Sequence, residues 1–462
     1  MNRFTNFCGA IITCTVLLTP TAAASAAQSE AKPKAPKAPK AIEAAAIEAA
    51  VQGDYDRHLG ALFRHFHANP ELSFVEHKTA ARIAKELRSV GYKVTTGVGQ
   101  TGLVAILKNG PGPLVMMRAD MDGLPVQELA DLPYASKVTQ VNSEGVEFPV
   151  MHACGHDVHI TSLVGTARRM ADLKKNWSGT LMLIGQPAEE WKISGAKAMH
   201  EDNLWQRFGK PDYALAFHVA ADMEAGKLFA ARGAAYSGVD SVDIVVPGIG
   251  AHGASPHRGK DPVLVASQIV INLQTLVSRE LSPREPGVVT VGVFKAGNKR
   301  NVIGEEARLE LTVRSDSPQT REHLLSGIAR IAEHTARAAG LPEDRLPRVE
   351  NQGSLPVTSN DIALTDRLTA VWKDQLGEAI FADYERQGMG GEDFPWFTND
   401  PYIPSVYFQV GGTPAAAFER EAAGGAAVAS HHSPLFQVEP EPAIRTGVSA
   451  TVVALLELLQ AQ

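Results

Sequence analysis

The chain has 462 residues, 44% of them hydrophobic, and its 44 basic and 51 acidic residues give a net charge of −7. Charges of both signs are interspersed without a basic stripe or an arginine-rich motif, so a nucleic-acid partner is not expected. Roughly 410 residues remain after the N-terminal segments, more than one domain usually contains, and this length predicts two domains.

Residues 1–27 have the pattern of a cleavable signal peptide: a basic start at Arg3, an apolar stretch and small residues before an Ala-x-Ala-like site. We therefore expect a periplasmic or secreted protein, with no further segment able to span a membrane. Cleavage removes Cys8 and Cys14 and leaves Cys154 alone, which excludes an internal disulfide. Residues 28–50, rich in Ala, Lys and Pro, are expected to form a linker, with ordered structure beginning near Tyr55.

Residues 51–236 alternate between helical and strand patterns, which predicts the first part of an α/β domain with a mixed, mainly parallel sheet and helices on both faces. The predicted helices are 55–69 and 76–90, and the predicted strands are 92–96, 103–107, 114–118, 181–185 and 214–219. Polar clusters follow or end the last three strands. Because functional groups gather at the carboxyl ends of such strands, these clusters are expected to form one site.

Residues 237–350 have a different order of elements, β-α-β-β-α-β, with long helices predicted at 262–280 and 318–339. This order is that of a ferredoxin-like unit and predicts a separate α+β domain inserted into the α/β domain. Residues 351–462 then complete the α/β domain, with a helix at 361–376, a glycine-rich loop at 388–394, a strand at 405–410 and a terminal helix from 441.

The stretch 151–159, MHACGHDVH, is the densest group of metal-binding side chains in the chain. Cys154 and His156 are separated only by Gly155, so both side chains can converge on one point. Asp157 is predicted to lie at the start of the following helix, where a carboxylate can cap free N–H groups. A buried cysteine beside helix-capping residues is the alternative interpretation; together with the partners below, the pattern favours a metal site.

Glu189 and Glu190 follow a buried strand, and in an extended segment their side chains would point in opposite directions, one to a metal and one to a water molecule. Two solvated loop carboxylates are the alternative. His218 lies on an apolar strand and can equally be a core histidine. His431 and His432 can be plain surface residues of a loop.

Taken together, seven segments resemble the metal-dependent amidohydrolases related to aminoacylase and carboxypeptidase G, and most closely the branch of hippurate hydrolase and the indole-acetyl-amino-acid hydrolases. The resemblance runs in order over about residues 55–460. The segments are RADMDGLPV (118–126), MHACGHDVH (151–159), QPAEE (186–190), FHV (217–219), GAHGASPH (250–257), GGEDF (390–394) and HSPLF (432–436).

The resemblance implies two divalent metal ions, zinc or manganese, with cobalt or nickel as alternatives. It also implies the general base Glu189, and a catalytic Asp120 that matches the Asp of the wider family's His-x-Asp motif. Arg118 stands where that motif has its histidine ligand, a departure that the branch shares. The metal ligands implied are Cys154, His156, Glu190, His218 and His432, with His431 as an alternative to His432.

The resemblance implies that residues 51–236 and 351–462 form the catalytic domain and that residues 237–350 form a lid and dimerisation domain. In the lid, it implies that Asn301 and Arg314 bind the substrate carboxylate. His252 matches a histidine that donates to the oxyanion in the neighbouring subunit, which implies a homodimer formed through the lid. The expected reaction is hydrolysis of the amide bond of N-acyl amino acids. The alternatives left open are a peptidase acting on small peptides and a metal-binding or sensing protein without turnover.

Overall fold

The computed structural model describes residues 44–191 and 195–460. The predicted signal peptide and residues 28–43 of the predicted linker lie outside the described residues. Within the described part, the chain forms a seven-stranded and a four-stranded sheet, each with a hydrophobic core of its own.

Ordered structure begins earlier than the composition of the N-terminal region indicates. Helix α1 (Ala44–Asp54) lies partly within the predicted linker, and Ile47 and Val51 on its inner face are buried in the main core. The expected start near Tyr55 is therefore wrong. The two apolar side chains are four residues apart and share one face of the helix, a signal that the surrounding alanines obscured.

The helices that follow include all those predicted from the sequence, close to their predicted positions, together with short helices that were not predicted. They are α2 (Gly60–Ala68), α3 (His77–Ser89), α4 (His156–Asp172), α5 (Gly195–Glu201), α6 (Leu204–Phe208), α7 (Pro262–Thr275), α8 (Pro318–Ala338), α9 (Ile362–Leu376), α10 (Pro395–Thr398), α11 (Ala415–Ala422) and α12 (Pro440–Leu458). A π-helical turn, Tyr55–Leu59, joins α1 to α2, and another, Leu276–Glu280, follows α7.

The longer strands are likewise close to prediction. In chain order the strands are β1 (Lys93–Val98), β2 (Gly102–Asn109), β3 (Leu114–Asp120), β4 (Thr139–Val141), β5 (Glu147–Pro149), β6 (Gly179–Gln186), β7 (Tyr213–Glu224), β8 (Leu228–Phe229), β9 (Ala234–Tyr236), β10 (Gly238–Pro247), β11 (Ala251–His252), β12 (Gly287–Ala296), β13 (Val302–Ile303), β14 (Glu306–Ser315), β15 (Arg348–Leu355), β16 (Thr358–Ser359) and β17 (Ser405–Thr413).

The central sheet has the order β1-β2-β6-β3-β7-β17-β8. Its four middle strands, β6, β3, β7 and β17, are parallel, whereas β1, β2 and β8 pair antiparallel at the edges. The middle strands are buried along most of their length because helices cover both faces. One face packs on α1, α4 and α12 among others, and the second packs on α5, α6 and α10. This confirms the predicted mixed, mainly parallel α/β fold.

The four-stranded sheet has the order β12-β14-β10-β15 and is antiparallel throughout. Helices α7 and α8 pack on it around a core that includes Ile244, Leu309 and Ile328. With the chain order β10-α7-β12-β14-α8-β15, this is the predicted ferredoxin-like arrangement. Strand β15 continues to Leu355, which pairs with Val239, so the predicted boundary at residue 350 falls inside the last lid strand.

None of the helices in the described ranges 44–191 and 195–460 is both long and apolar enough to cross a membrane.

The buried face of α1 generates a stability prediction. Ile47→Ala should lower the free energy of unfolding by about 2–5 kcal/mol, because it removes a buried aliphatic side chain and leaves a cavity. Glu48→Ala, on the exposed face of the same helix, should change it by less than about 0.5 kcal/mol. Urea denaturation of both variants measures the difference; equal stabilities would mean that α1 does not contribute to the core.

Candidate metal centre and active site

A tight turn brings Cys154 and His156 to the carboxyl edge of the central sheet. Gly155 between them has φ of +80°, a left-handed conformation that glycine adopts without a steric penalty. A Cβ on Gly155 would also lie 2.3 Å from Cγ1 of Val219, so no larger residue fits there. Helix α4 begins at His156, with Gly155 as its N-cap, and Asp157 lies in its first turn as predicted. Oδ1 of Asp157 accepts a hydrogen bond from the backbone N–H of Val158 at 2.9 Å.

Cys154, His156 and His218 form a first group, whose ligand atoms lie within 4.8 Å of one another. The Sγ of Cys154 is 3.5 Å from Nε2 of His218. The Nδ1 of His156 is 2.8 Å from the carbonyl oxygen of Asp122, and the Nδ1 of His218 is 2.7 Å from that of Val219. Because a carbonyl only accepts, each Nδ1 donates a proton, which leaves Nε2 as the atom free to bind a metal.

Cys154 also belongs to a second group with Glu190 and His432, again within 4.8 Å. The Nε2 of His432 is 3.2 Å from Oε1 of Glu190. The backbone of His432 has a positive φ of 65°, and its N–H donates to the carbonyl of Ala153 at 2.9 Å. The two groups share one thiol and together contain all five side chains that were predicted as ligands.

His431 lies beside this second group, but its ring nitrogen and ring face make other contacts. Its Nε2 accepts a hydrogen bond from the backbone N–H of Ala221 at 3.1 Å, and its ring packs edge-on against His218. Among the described residues, His432 and not His431 has a ring nitrogen within a possible metal-binding group. The geometry therefore favours His432 as the ligand of this pair.

The two groups have the chemistry that divalent cations require. Nε2 of His156 is buried without a hydrogen-bond partner among the described residues. Burial alone would lower the pKa of His156, but Asp120, Asp122 and Glu190 raise it to about 10, so these carboxylates favour positive charge at this nitrogen. A cation supplies that charge when it replaces the proton. The set of thiolate, imidazole and carboxylate ligands fits divalent transition metals.

Glu189 and Glu190 lie on the same side of their segment. One oxygen of each carboxylate falls within 4.8 Å of the same nitrogen of His156, so the expectation that the two side chains point in opposite directions is wrong. The segment is bent rather than extended, with Ala188 at a φ of +49°. Burial, then the nearby Glu392, raises the pKa of Glu189 well above its usual value.

Asp122, to which the sequence assigned no role, contacts two of the candidate metal ligands and the predicted base. Its Oδ1 accepts from the backbone N–H of Glu189 at 3.1 Å, and its Oδ2 accepts from that of Glu190 at 3.0 Å. The same carboxylate is 3.3 Å from Nδ1 of His156. Its place in the motif RADMD, two residues after Asp120, was the signal that could have identified it.

Asp120 is fully buried beside this centre, and both of its oxygens are engaged. Oδ2 accepts from Nη1 of Arg118 at 2.7 Å, and Oδ1 is 2.5 Å from Nδ1 of His159. Since Nε2 of His159 accepts from the backbone N–H of Val219, Nδ1 of His159 is the donor to Asp120. His159, counted in the motif at 151–159 but given no role, thus connects Asp120 to the strand that carries His218.

Arg118, which stands where the wider family's motif has its histidine, binds acidic side chains instead. Its guanidinium donates to Asp120 at 2.7 Å, Glu392 at 2.7 Å and Asp393 at 3.2 Å, all inside the protein. Nε donates to the side chain of Gln186 at 2.6 Å. Glu392 and Asp393 belong to the predicted glycine-rich loop, so the segment GGEDF contributes the counter-charges of this arginine.

A cavity of about 860 Å³ opens over the centre and is lined by residues of both sheets. Cys154 and Glu189 lie on one side, and Arg314 of the lid strand β14 lies on another. Arg314 is half-buried, and burial lowers its pKa. The two other predicted lid residues, His252 and Asn301, line a separate cavity of about 930 Å³, so within one chain they are not part of the same site.

Comparison with known proteins relates this site to enzymes of stated activity. Residues 116–424 match the model of peptidase family M20/M25/M40. Hippurate hydrolase from Campylobacter jejuni is 37% identical over 349 residues, 75% of this chain and 85% of the relative. An IAA-amino acid hydrolase (ILR1-like 2) from Arabidopsis thaliana is 33% identical over 383 residues, 82% of this chain and 80% of the relative.

A solved structure is also similar over most of the chain. A dinuclear metal-binding peptidase of the M20 family from Bacillus subtilis superposes with a TM-score of 0.72 at 27% identity, over 89% of this chain and 99% of that chain. The candidate ligand groups described above are consistent with two divalent ions in this chain too. The chain therefore belongs to peptidase family M20/M25/M40, in the branch of hippurate hydrolase and the IAA-amino acid hydrolases, and is a metal-dependent amidohydrolase.

Proposed function

We propose that the chain is an exported enzyme that hydrolyses the amide bond of N-acyl amino acids to a carboxylic acid and an amino acid. One observation carries the choice of substrate. Arg314 lines the cavity of the candidate metal centre, and its guanidinium has no hydrogen-bond or ion-pair partner among the described residues. A free guanidinium facing the cavity suits a carboxylate, and an N-acyl amino acid carries its carboxylate close to the scissile amide.

The five proposed ligands, Cys154, His156, Glu190, His218 and His432, would hold two divalent ions, zinc or manganese, with cobalt or nickel as alternatives. When bound, the ions supply a water molecule of lowered pKa and polarise the amide carbonyl. Glu189 takes the proton of the attacking water and returns it to the leaving nitrogen. Burial, and then the surrounding carboxylates, raise the pKa of Glu189 and make it a stronger base than an exposed carboxylate.

Export is proposed from residues 1–27, whose basic start, apolar stretch and small-residue end are those of a signal peptide. The predicted signal peptide has no bearing on the chemistry of the site.

A panel of substrates tests the proposed activity. N-benzoyl and N-acetyl amino acids should be hydrolysed with a higher kcat/KM than free dipeptides, because a dipeptide places a charged ammonium where these substrates carry an uncharged acyl group. Activity should disappear on chelation and return on reloading with Zn²⁺, Mn²⁺, Co²⁺ or Ni²⁺, each supplied alone. A preference for free dipeptides would favour the alternative, a peptidase acting on small peptides.

Glu189→Gln should retain two metal ions and lose about 10²–10⁴-fold in kcat, because glutamine keeps the shape of the side chain and removes the proton acceptor. Metal content is measured on the same samples by atomic emission. His156→Ala is the contrasting variant and should lower metal content. Glu421→Gln, an exposed carboxylate of the same cavity, is the matched control and should keep the wild-type kcat. An active Glu189→Gln enzyme with both metals bound would refute the assignment of the base.

The lid supports the further proposal that the enzyme is a homodimer. Leu264 and Ile271 on α7 are exposed over 58% and 68% of their surface, and Phe294 on β12 over 42%. Strand β12 lies at the edge of the lid sheet and is free to pair with another strand. A partner subunit bound to this face would cover the exposed apolar residues. His252 of the partner subunit would then reach the cavity over the candidate metal centre, which His252 does not line in its own chain.

In this arrangement the His252→Ala variant should still fold and bind its metals. Its kcat should fall by about 10²–10³-fold, because one hydrogen-bond donor to the oxyanion is lost. Mixing it with Glu189→Gln should restore part of the activity, since a mixed dimer has one site with both residues intact. His257→Ala, an exposed histidine of the same loop, should remain active. Absence of rescue after demonstrated subunit exchange would exclude donation between subunits.

A further inference from the structure

The segment that carries Glu189 and Glu190 is held by two buried carboxylates through three consecutive backbone N–H groups. Ala188 donates to Oε1 of Glu76 at 2.8 Å. Glu189 and Glu190 donate to the two oxygens of Asp122 at 3.1 and 3.0 Å. Both acceptors are buried, so these bonds are shielded from competing water.

The conformation of this segment requires such support. Ala188 is in the left-handed region, with a φ of +49°, although it has a Cβ. For a residue other than glycine this conformation costs about 1–3 kcal/mol and persists only where the surroundings enforce it. Ala188 is fully buried and directly precedes the predicted base. A change at Ala188 would therefore redirect the carboxylate of Glu189.

Glu76 is suited to hold Ala188. It lies 112 residues earlier in the chain, directly before α3, and its side chain is completely buried. Oε2 accepts from Oγ1 of Thr101 at 2.5 Å, which leaves Oε1 directed at the Ala188 amide. Burial, then Asp122, raises the pKa of Glu76 to about 8. In either protonation state the carboxyl group can accept the hydrogen bond.

We propose that Glu76 is a positioning residue, which fixes Ala188 in its left-handed conformation and thereby aligns Glu189 with the attacking water. This rests on the proposed role of Glu189 as the base. Glu76 itself does not contact the reacting atoms. Its effect on catalysis depends on the precision of the alignment, because a displacement of about 1 Å at a reacting group can cost on the order of 10²-fold in rate.

Two substitutions of nearly equal size test the proposal. Glu76→Gln keeps a carbonyl oxygen that can accept from Ala188, whereas Glu76→Met fills the same space and cannot accept. Glu76→Met should lower kcat by about 10- to 100-fold with little change in KM and with both metals retained. Glu76→Gln should retain most of the activity. Glu86→Ala is the control: it removes a buried carboxylate of α3 that pairs with His58 and Arg82 and does not contact the segment.

A double variant distinguishes positioning from a loss of general stability. If Glu76 acts through Glu189, Glu76→Met should lower the residual rate of Glu189→Gln by a much smaller factor than it lowers the wild-type rate. Equal factors in the two backgrounds would overturn the proposal, as would a Glu76→Met enzyme as active as Glu86→Ala. Thermal unfolding of each variant identifies any that is not folded.

Hydrogen exchange provides a readout that needs no substrate. The peptide containing Ala188 should exchange faster in Glu76→Met than in the wild type, and Glu76→Gln should stay close to the wild type. Unchanged exchange in Glu76→Met would overturn the proposal. A wild-type enzyme inert toward every N-acyl amino acid and dipeptide would instead refute the proposed function, and the exchange comparison would then decide whether Glu76 holds the segment.

Discussion

The buried guanidinium of Arg118 is the interaction on which the organisation of the site depends. Removing a charge from water costs several kcal/mol, so three buried carboxylates can share this edge of the sheet only because a cation pairs with them. Arg118 donates to Asp120 on its own strand and to Glu392 and Asp393 on a loop 274 and 275 residues away. The arginine thereby joins the two halves of the catalytic domain beneath the candidate metal centre.

Glu189 lies beside this pair of acidic loop residues, with one oxygen of each carboxylate within 4.8 Å of the others. Burial and neighbouring carboxylates raise the pKa of Glu189, whereas burial keeps the pKa of His218 well below its usual value and its ring neutral. A neutral imidazole is the form that binds a metal, and a base of raised pKa is suited to accept a proton from water. The same burial therefore prepares one side chain for a cation and the other for proton transfer.

Within one chain, the lid contributes a cationic side chain to the cavity and, among the described residues, no candidate metal ligand. All five proposed ligands and Glu189 come from the catalytic domain, whereas Arg314 projects from a lid strand into the shared cavity. The lid has its own core, so its sheet can keep its shape independently of the metal centre. A substrate carboxylate bound at Arg314 would thus be held at a distance from the metals that is set by the packing of two domains.

The sequence by itself determined the architecture and the local groups. Nearly continuous apolar runs predicted the parallel strands, because such strands are buried on both faces, and alternating strands with long helices predicted the inserted ferredoxin-like unit. Spacing in MHACGHDVH likewise predicted the convergence of Cys154 and His156. Only the tertiary structure decided that Glu76 supports Ala188, and that Glu189 and Glu190 face the same side. Such contacts join residues more than a hundred positions apart or depend on a single backbone angle, and neither leaves a periodic pattern in the sequence.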